Sequence, residues 1–240
     1  MIKYIQIFGE RCSGSRYLAR LIDRNFEGVS ITKSFGCKHW FIKNHFPRGK
    51  PNTSTDYECI RTLTDSDDTL FVVIYRNPFD YLRSLHLKPY HAPNHFGLTF
   101  SKFIRKKWVS YETSQVNKLW PHNDQNYYFI EEADNIIQLR TQKILHFNNL
   151  KNVVKNVRFI NYEKLVRDIR LLKHIADELG IRFKQIPLDD EKTYYEGGQK
   201  KTFVPTRYAS ISQLDFLFIA KSLDWKVERS INYSIESYWK

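Results

Sequence analysis

IQIFGERCSGSRYLARLI, residues 5–22, decides the fold, because it is typical of a strand, a glycine turn and a helix. An apolar run ends at Phe8, Gly9 interrupts it, and from Tyr17 to Ile22 apolar residues recur at helical spacing. A turn of this kind points free backbone N–H groups, and the positive end of the helix dipole, at one place. The stretch therefore predicts a site for a phosphate or a sulfate group.

The turn itself combines small residues with two fixed positive charges. Ser13, Gly14 and Ser15 are small enough for the backbone to fold tightly around an anion, and Arg11 and Arg16 flank them. A plain left-handed turn between a strand and a helix is the alternative interpretation. The paired arginines favour the anion site over that alternative.

The spacing of the glycines resembles a nucleotide-binding P-loop only in part. That motif reads glycine, four residues, then Gly-Lys-Ser/Thr. Gly9 and Gly14 have the right separation, but Ser15 replaces the lysine and Arg16 replaces the hydroxyl that would bind magnesium. The pattern argues against an ordinary magnesium–nucleotide site.

Composition indicates a folded chain with anionic partners. The 240 residues are 42% hydrophobic and 15% aromatic, with a formal net charge of +12 and a pI near 9.5. A chain of this length buries one sizeable core, so we expect a single α/β domain over residues 1–240. The positive charge suits nucleotides, acidic glycans, nucleic acid or anionic lipid, although scattered surface lysines would also produce it.

Cysteine usage and hydropathy bear on the compartment. Cys12, Cys37 and Cys59 form an odd set without paired spacing, which indicates reduced thiols. The sequence shows neither a signal segment nor an apolar run of membrane length. We therefore expect a cytoplasmic protein without a membrane span.

A second cationic point follows the apolar run LFVVIY, residues 70–75, which is typical of a strand buried on both faces of a parallel sheet. Arg76 comes directly after this run, Pro78 begins a helix, and Ser84 lies two helical turns beyond Arg76. Ligands of open α/β sheets bind beyond the carboxyl ends of the strands. Arg76 and the first turn should share that edge, which suits a ligand with two anionic ends.

The stretches GERCSGSRYLARLI and FVVIYRNPFDYLRSLH together resemble the sulfotransferase family, whose donor substrate is 3′-phosphoadenosine 5′-phosphosulfate. In that family the first motif holds the 5′-phosphosulfate. An arginine at the end of a later strand, followed by Asn/Asp-Pro and a serine eight residues after the arginine, holds the 3′-phosphate. Residues 157–181, VRFINYEKLVRDIRLLKHIADELGI, resemble the family's late strand and helix.

This resemblance implies a three-layer α/β/α fold with a mainly parallel sheet and a P-loop-like topology. It also implies adenosine 3′,5′-bisphosphate as the product and no need for a metal. The residues expected to bind the donor lie in the first turn, after the second strand and in a late glycine-rich segment: Arg11, Cys12, Ser13, Gly14, Ser15, Arg16, Arg76, Ser84, Lys200 and Lys201.

The sequence departs from the family pattern in the turn and near residue 200. Cys12 stands where a basic residue usually precedes Ser-Gly, with Arg11 one position earlier, and Arg16 replaces the usual second hydroxyl. The late glycine-rich segment is recognisable only at residues 197–201. We expect Arg11 or Arg16 to contact the phosphosulfate and Cys12 to be a neutral spacer.

The predicted reaction is in-line transfer of a sulfuryl group to a hydroxyl or amine of an unidentified acceptor, with a carbohydrate as one candidate. The reaction needs a general base. His39 is the first choice, because it follows a short strand predicted at residues 29–32 and because Lys38 would lower its pKa. Glu10, inside the turn, is the second choice, and Arg11 would stabilise charge on the leaving phosphate.

Two other classes of function remain open from the sequence alone. One is a P-loop kinase of a small molecule, which would bind ATP with magnesium. The other is a non-catalytic basic module that binds nucleic acid or an acidic glycan in a salt-dependent way. The sulfotransferase interpretation expects no dedicated nucleic-acid partner.

The remainder of the chain predicts further helices. Phe103 and Trp108 are predicted on one helix face, residues 131–150 form a second helix, and residues 163–179 form a third that ends at Gly180. Arg140 and Lys143 share a face of the second helix, and we expect them to pair with acidic groups. The late predictions are a polar loop over residues 187–205 and a terminal helix over residues 214–223 that packs through four apolar side chains: Leu214, Leu217, Phe218 and Trp225.

Overall fold

The computed structural model of the chain describes residues 1–39, 61–89, 91–112, 128–190, 193–196, 199–202, 204, 206 and 208–238. Ten strands lie within these ranges: β1 (Tyr4–Gly9), β2 (Phe26–Glu27), β3 (Ser30–Thr32), β4 (Thr69–Tyr75), β5 (Trp108–Glu112), β6 (Tyr128–Ala133), β7 (Val157–Asn161), β8 (Arg182–Phe183), β9 (Thr193–Glu196) and β10 (Gln199–Thr202). The described α-helices are α1 (Ser15–Asn25), α2 (Pro78–Leu87), α3 (Phe100–Arg105), α4 (Ile136–Asn148), α5 (Tyr162–Arg167), α6 (Arg170–Leu179), α7 (Gln213–Ser222) and α8 (Trp225–Arg229).

The centre of the fold is a parallel four-stranded sheet with the order β3-β1-β4-β7. All seven residues of β4 are buried, as the continuous apolar run predicts. In the register, Gly9 lies opposite Ile74 and Tyr75 lies opposite Asn161. The carboxyl ends of β1, β4 and β7 therefore meet at one edge, which brings the glycine turn and the residues after β4 and β7 together.

Helices cover both faces of this sheet, since successive side chains of a strand point to opposite sides. Leu70, Val72 and Ile74 pack with α1, α5 and α6, whereas Phe71 and Val73 pack with α4 and α8. The structure is thus α/β, with a parallel sheet between two helical layers. No described helix is long and apolar enough to cross a membrane.

A third apolar cluster joins α2, α3, β5, α4 and α7 beside the sheet. Trp108 belongs to this cluster but lies on β5, because α3 ends at Arg105 and the chain becomes extended from Lys106. The prediction that Trp108 lies on the same helix face as Phe103 is therefore wrong. The two side chains still pack together, with ring centroids 6.0 Å apart.

The second predicted helix begins later than expected. Glu131 lies on β6, which pairs antiparallel with β5, and α4 starts only at Ile136. Asn135 sets this start, because its side-chain oxygen accepts the backbone N–H groups of Ile137 and Gln138.

The third predicted helix is divided in two. Asp168 is extended after α5, and its carboxylate accepts the backbone N–H of Arg170 at 2.9 Å, where α6 begins. Gly180 ends α6 in the left-handed conformation, as predicted.

The late predictions need two corrections. The predicted loop over residues 187–205 contains the antiparallel pair of β9 and β10. The terminal helix α7 forms, but Leu214 and Leu217 are 77% and 44% exposed, so they do not pack. Phe218 and Trp225 pack in part against the third cluster, and the buried apolar residues on α7 are Ile219 and Ala220.

Candidate anion-binding site

The turn after β1 folds on itself and exposes the start of α1. The backbone N–H and the hydroxyl of Ser13 both donate to the Glu10 carbonyl, at 3.3 and 2.6 Å. Gly14 has a φ of 95°, and a Cβ there would overlap the ring of Tyr162, so only glycine fits. The buried Ser13 hydroxyl thus closes the turn.

The start of α1 carries backbone donors that have no acceptor among the described residues. The N–H groups of Gly14, Ser15 and Arg16 donate no hydrogen bond to any residue that the structure describes. α1 is an 11-residue helix with no acidic residue in its first turn and no side-chain cap. Such an arrangement attracts an anion, because the donors and the helix dipole both favour negative charge.

Basic side chains surround these donors. Burial and the positive charge of Arg16 lower the pKa of Lys38, with Arg11 adding to the effect, so both arginines lie close enough to Lys38 to repel it. Arg16 is exposed and Lys38 is half-buried. Within the described ranges neither forms an ion pair. An anion bound here would relieve this repulsion.

Arg76 reaches the same turn from the end of β4. Its Nη1 donates to the Cys12 carbonyl at 3.1 Å, and its Nη2 donates to the Tyr208 hydroxyl at 3.3 Å. Its guanidinium carbon lies 4.8 Å from the ring centroid of Tyr162. Arg76 is only 8% exposed, its Nε has no hydrogen-bond partner, and it pairs with no carboxylate in the described structure.

Ser84 approaches the turn from α2. Burial raises the pKa of the Cys12 thiol, and the neighbouring Ser84 hydroxyl opposes that rise. Cys12 has a φ of 62°, a conformation that directs its carbonyl to Arg76 and its side chain to Ser84. The structure thus brings together the turn, Arg76 and Ser84, which the sequence places far apart.

His39 lies against Gly9, where the turn begins. Its Nδ1 is 2.8 Å from the Gly9 carbonyl, and since a carbonyl only accepts, Nδ1 carries the proton and Nε2 carries the lone pair. Burial, followed by the charges of Arg11 and Lys38, holds the pKa of His39 well below its ordinary value. The ring is therefore neutral at neutral pH, as a general base requires.

Glu10 points away from this surface into the core. Its carboxylate is fully buried and pairs with Arg140, which also donates to both carboxylate oxygens of Glu228 at 2.6 and 2.8 Å. Burial, opposed by Arg140, raises the pKa of Glu10 to about 7. Arg140 donates in addition to the Arg76 carbonyl at 2.9 Å. Glu10 therefore supports the turn from below, and a ligand above the turn would not reach it.

Two tyrosines and Glu163 belong to the candidate site and were not predicted from the sequence. Tyr162 and Tyr208 flank the Arg76 guanidinium. Glu163 accepts the backbone N–H of Asn77 at 2.9 Å and its side-chain amide at 2.8 Å, which holds the chain next to Arg76. The Tyr-Glu pair at the end of β7 was the signal for two of them, whereas no pattern in the sequence marked Tyr208.

Lys200 and Lys201, which were predicted to bind the donor, lie on β10, where their backbones are opposite those of Tyr195 and Tyr194 on β9. Trp40, the aromatic neighbour of His39 that could line an acceptor pocket, and residues 197 and 198 of the late glycine-rich segment lie outside the described residues. The expected pairing of Arg140 and Lys143 with acidic groups is confirmed. Within the described residues, no group of three or more His, Cys, Asp or Glu side chains is placed to hold a metal ion.

Comparison with models of known protein families found no match to this chain, and neither did comparison with the curated proteins.

Proposed function

We propose that the chain is a sulfotransferase that moves a sulfuryl group from 3′-phosphoadenosine 5′-phosphosulfate to a hydroxyl or amine. One observation carries the proposal. Among the described residues, the backbone donors at the start of α1 have no acceptor and the Arg76 guanidinium has no carboxylate partner, and both lie at the same sheet edge, joined through Cys12. Two separate anion sites on one edge fit a nucleotide with a 5′-phosphosulfate and a separate 3′-phosphate.

The topology supports this proposal. The parallel order β3-β1-β4-β7, with helices on both faces, is compatible with a P-loop-like sulfotransferase fold. The turn follows β1 and Arg76 follows β4, and ligands of open α/β sheets bind beyond the carboxyl ends of the strands.

The 5′ end of the donor would bind at the turn. The N–H groups of Gly14, Ser15 and Arg16, together with Arg11, Arg16 and Lys38, would hold the phosphosulfate. The 3′-phosphate would bind to Arg76 and Ser84, and Tyr208 would have to release its contact with Arg76.

In the reaction the acceptor oxygen or nitrogen forms a bond to sulfur while the sulfur–oxygen bond to the leaving phosphate breaks. The acceptor proton moves to Nε2 of His39, and the electron pair of the broken bond stays on the phosphate. Preorganised donors and cations stabilise that charge in the transition state, and holding the two reactants in line supplies much of the remaining rate. The proposal needs no metal ion.

An assay of donor turnover, with EDTA present to remove metal ions, tests this proposal. Wild-type protein is incubated with 3′-phosphoadenosine 5′-phosphosulfate and a panel of carbohydrate, phenol and amine acceptors, and adenosine 3′,5′-bisphosphate is measured by anion-exchange chromatography. We expect release of the bisphosphate that at least one acceptor accelerates. Turnover of ATP in magnesium with no turnover of the sulfuryl donor would favour a kinase instead. Binding of polyanions without either reaction would favour a basic binding module.

A further inference from the structure

Lys143 on α4 is a buried lysine at the back of His39. Its Nζ donates to Oε1 of Glu131 at 2.7 Å and to the backbone carbonyl of His39 at 3.1 Å. The side chains of Lys143 and Glu131 are only 4% and 5% exposed. The pair joins α4 and β6 to the segment after β3, which carries His39.

Stability alone gives little reason for this pair. Removing two charges from water costs several kcal/mol for each ion, and a buried pair is often no more stabilising than apolar residues of the same volume. The pair is also incompletely satisfied within the described structure, because Oε2 of Glu131 has no hydrogen-bond partner there. The Lys143–Glu131 pair has a specific geometric effect, however, because Lys143 donates to the backbone carbonyl of His39 at the candidate site.

Three contacts within the described structure hold the segment of Lys38 and His39. The Lys38 carbonyl accepts the Gly9 N–H at 2.9 Å, the His39 ring donates to the Gly9 carbonyl, and Lys143 holds the His39 carbonyl. The first two contacts attach the segment to the turn. The third contact attaches the segment to α4.

We propose that Lys143, held by Glu131, is a positioning residue that fixes His39 with Nδ1 on the Gly9 carbonyl and Nε2 available as the base. This inference rests on the proposed function for its role in turnover. The placement of His39 itself is a property of the protein alone, and it is testable without a substrate.

Electrostatics supports the inference. The charged groups that face His39 are Arg11 from the turn, Lys38 from its own segment and Lys143 from α4; all three lower its pKa, and the hydrogen bond to the Gly9 carbonyl raises it. Glu131 lies beyond Lys143 and meets it at Oε1. Loss of the Lys143 charge should therefore raise the pKa of His39.

NMR of protein labelled with ¹⁵N in the histidine rings tests the placement. The His39 signals are assigned from their loss in His39→Gln, and the pKa and tautomer are followed from pH 4 to 8. The main variant is Lys143→Met/Glu131→Gln, which removes both charges and avoids leaving a buried carboxylate unpaired. Lys143→Arg keeps the charge and the donor, and Lys173→Met removes an exposed lysine as a control.

We expect Lys143→Met/Glu131→Gln to raise the His39 pKa and to reduce the population with the proton on Nδ1. Lys143→Arg should retain the low pKa, and Lys173→Met should match the wild type. An unchanged His39 pKa and tautomer in the double variant would overturn the proposal. These outcomes do not depend on whether the protein transfers sulfuryl groups.

A second arm measures hydrolysis of 3′-phosphoadenosine 5′-phosphosulfate, with water as the acceptor, and calorimetric affinity for adenosine 3′,5′-bisphosphate. We expect turnover of the double variant to fall about 10- to 100-fold, the scale for a misplaced catalytic group. The dissociation constant of the bisphosphate should stay within about twofold, because Lys143 contacts the base and not the donor. Equal losses in affinity and turnover would contradict a positioning role. A wild type that binds no bisphosphate would instead refute the proposed function, and the NMR result would still decide the placement of His39.

Discussion

At the scale of single residues, Arg76 is the feature that most needs a ligand. It is almost completely buried, yet its hydrogen bonds in the described structure go only to a carbonyl and a hydroxyl. A buried cation without a counter-charge is unfavourable, since desolvation is not repaid by an opposite charge. A phosphate group would supply that counter-charge.

Replacing Arg76 by alanine should therefore weaken the binding of adenosine 3′,5′-bisphosphate by about 2–4 kcal/mol, the scale for loss of one partner of a desolvated charge pair. Adenosine 5′-phosphosulfate, which lacks the 3′-phosphate, should bind the variant almost as well as the wild type. Calorimetry with both ligands measures the difference, and Arg158→Ala, at an exposed ion pair, is the control. Equal losses for the two ligands would show that Arg76 does not contact the 3′-phosphate.

The cations of the turn give a second prediction. Arg11→Ala or Arg16→Ala should lower turnover about 100-fold or more, as for loss of one preorganised donor. Cys12→Ala should retain most activity, because the Cys12 carbonyl, and not its thiol, meets Arg76. Steady-state rates of the three variants decide the assignment, and an inactive Cys12→Ala beside two active arginine variants would reverse it.

His39 gives a prediction for the pH dependence of stability. Its pKa is depressed in the folded protein, so between that pKa and about 6.5 the unfolded chain binds more protons. The contribution to stability is complete above pH 6.5 and is lost as the pH falls. Urea unfolding at pH 7.5 and 5.5 should show a larger loss of stability for wild type than for His39→Gln. Equal losses in the two proteins would mean that His39 titrates normally in the fold.

At the scale of the elements, α4 supports the site through Arg140. One guanidinium holds Glu10 of the turn, Glu228 of α8 and the carbonyl of Arg76. The placement of both candidate anion sites thus depends on one buried side chain.

Arg140→Met should lower the free energy of unfolding by about 3–5 kcal/mol, because two buried carboxylates lose their partner. The triple variant Glu10→Gln/Arg140→Met/Glu228→Gln should recover much of that loss. Urea unfolding curves measure both, with Arg170→Met, at an exposed ion pair, as the control. A triple variant no more stable than Arg140→Met would show that the charges are not the cause.

Local sequence signals predicted the elements around the site well and the middle of the chain less well. Some residues set the ends of elements through their own backbone conformation, namely those of the glycine turn, Pro78 and Gly180. For this reason β1, α1, α2 and the end of α6 were predictable. The pairing of β5 with β6 was not predictable. The apolar residues near Trp108 also fit a helix face, and they form a strand because β6, later in the chain, pairs with them.

At the scale of the whole molecule, the convergence of the turn and Arg76 followed from one topological rule, since carboxyl ends of parallel strands share an edge. The buried ion-pair network around Arg140 could not be predicted from this rule. Arg140 lies 130 residues from Glu10 and 88 from Glu228, and no spacing rule connects positions so far apart. For the same reason the sequence proposed Glu10 as a base, whereas the fold places it beneath the turn.

The most direct measurement is calorimetric titration of the wild-type protein with adenosine 3′,5′-bisphosphate in EDTA, beside AMP under the same conditions and ATP with magnesium. Two candidate anion sites at one edge predict tight, metal-independent binding of the bisphosphate. The binding free energy of AMP should be less favourable by about 2–4 kcal/mol, because AMP lacks the 3′-phosphate. Equal affinity for the bisphosphate and AMP, or binding of ATP with magnesium alone, would contradict the sulfotransferase site.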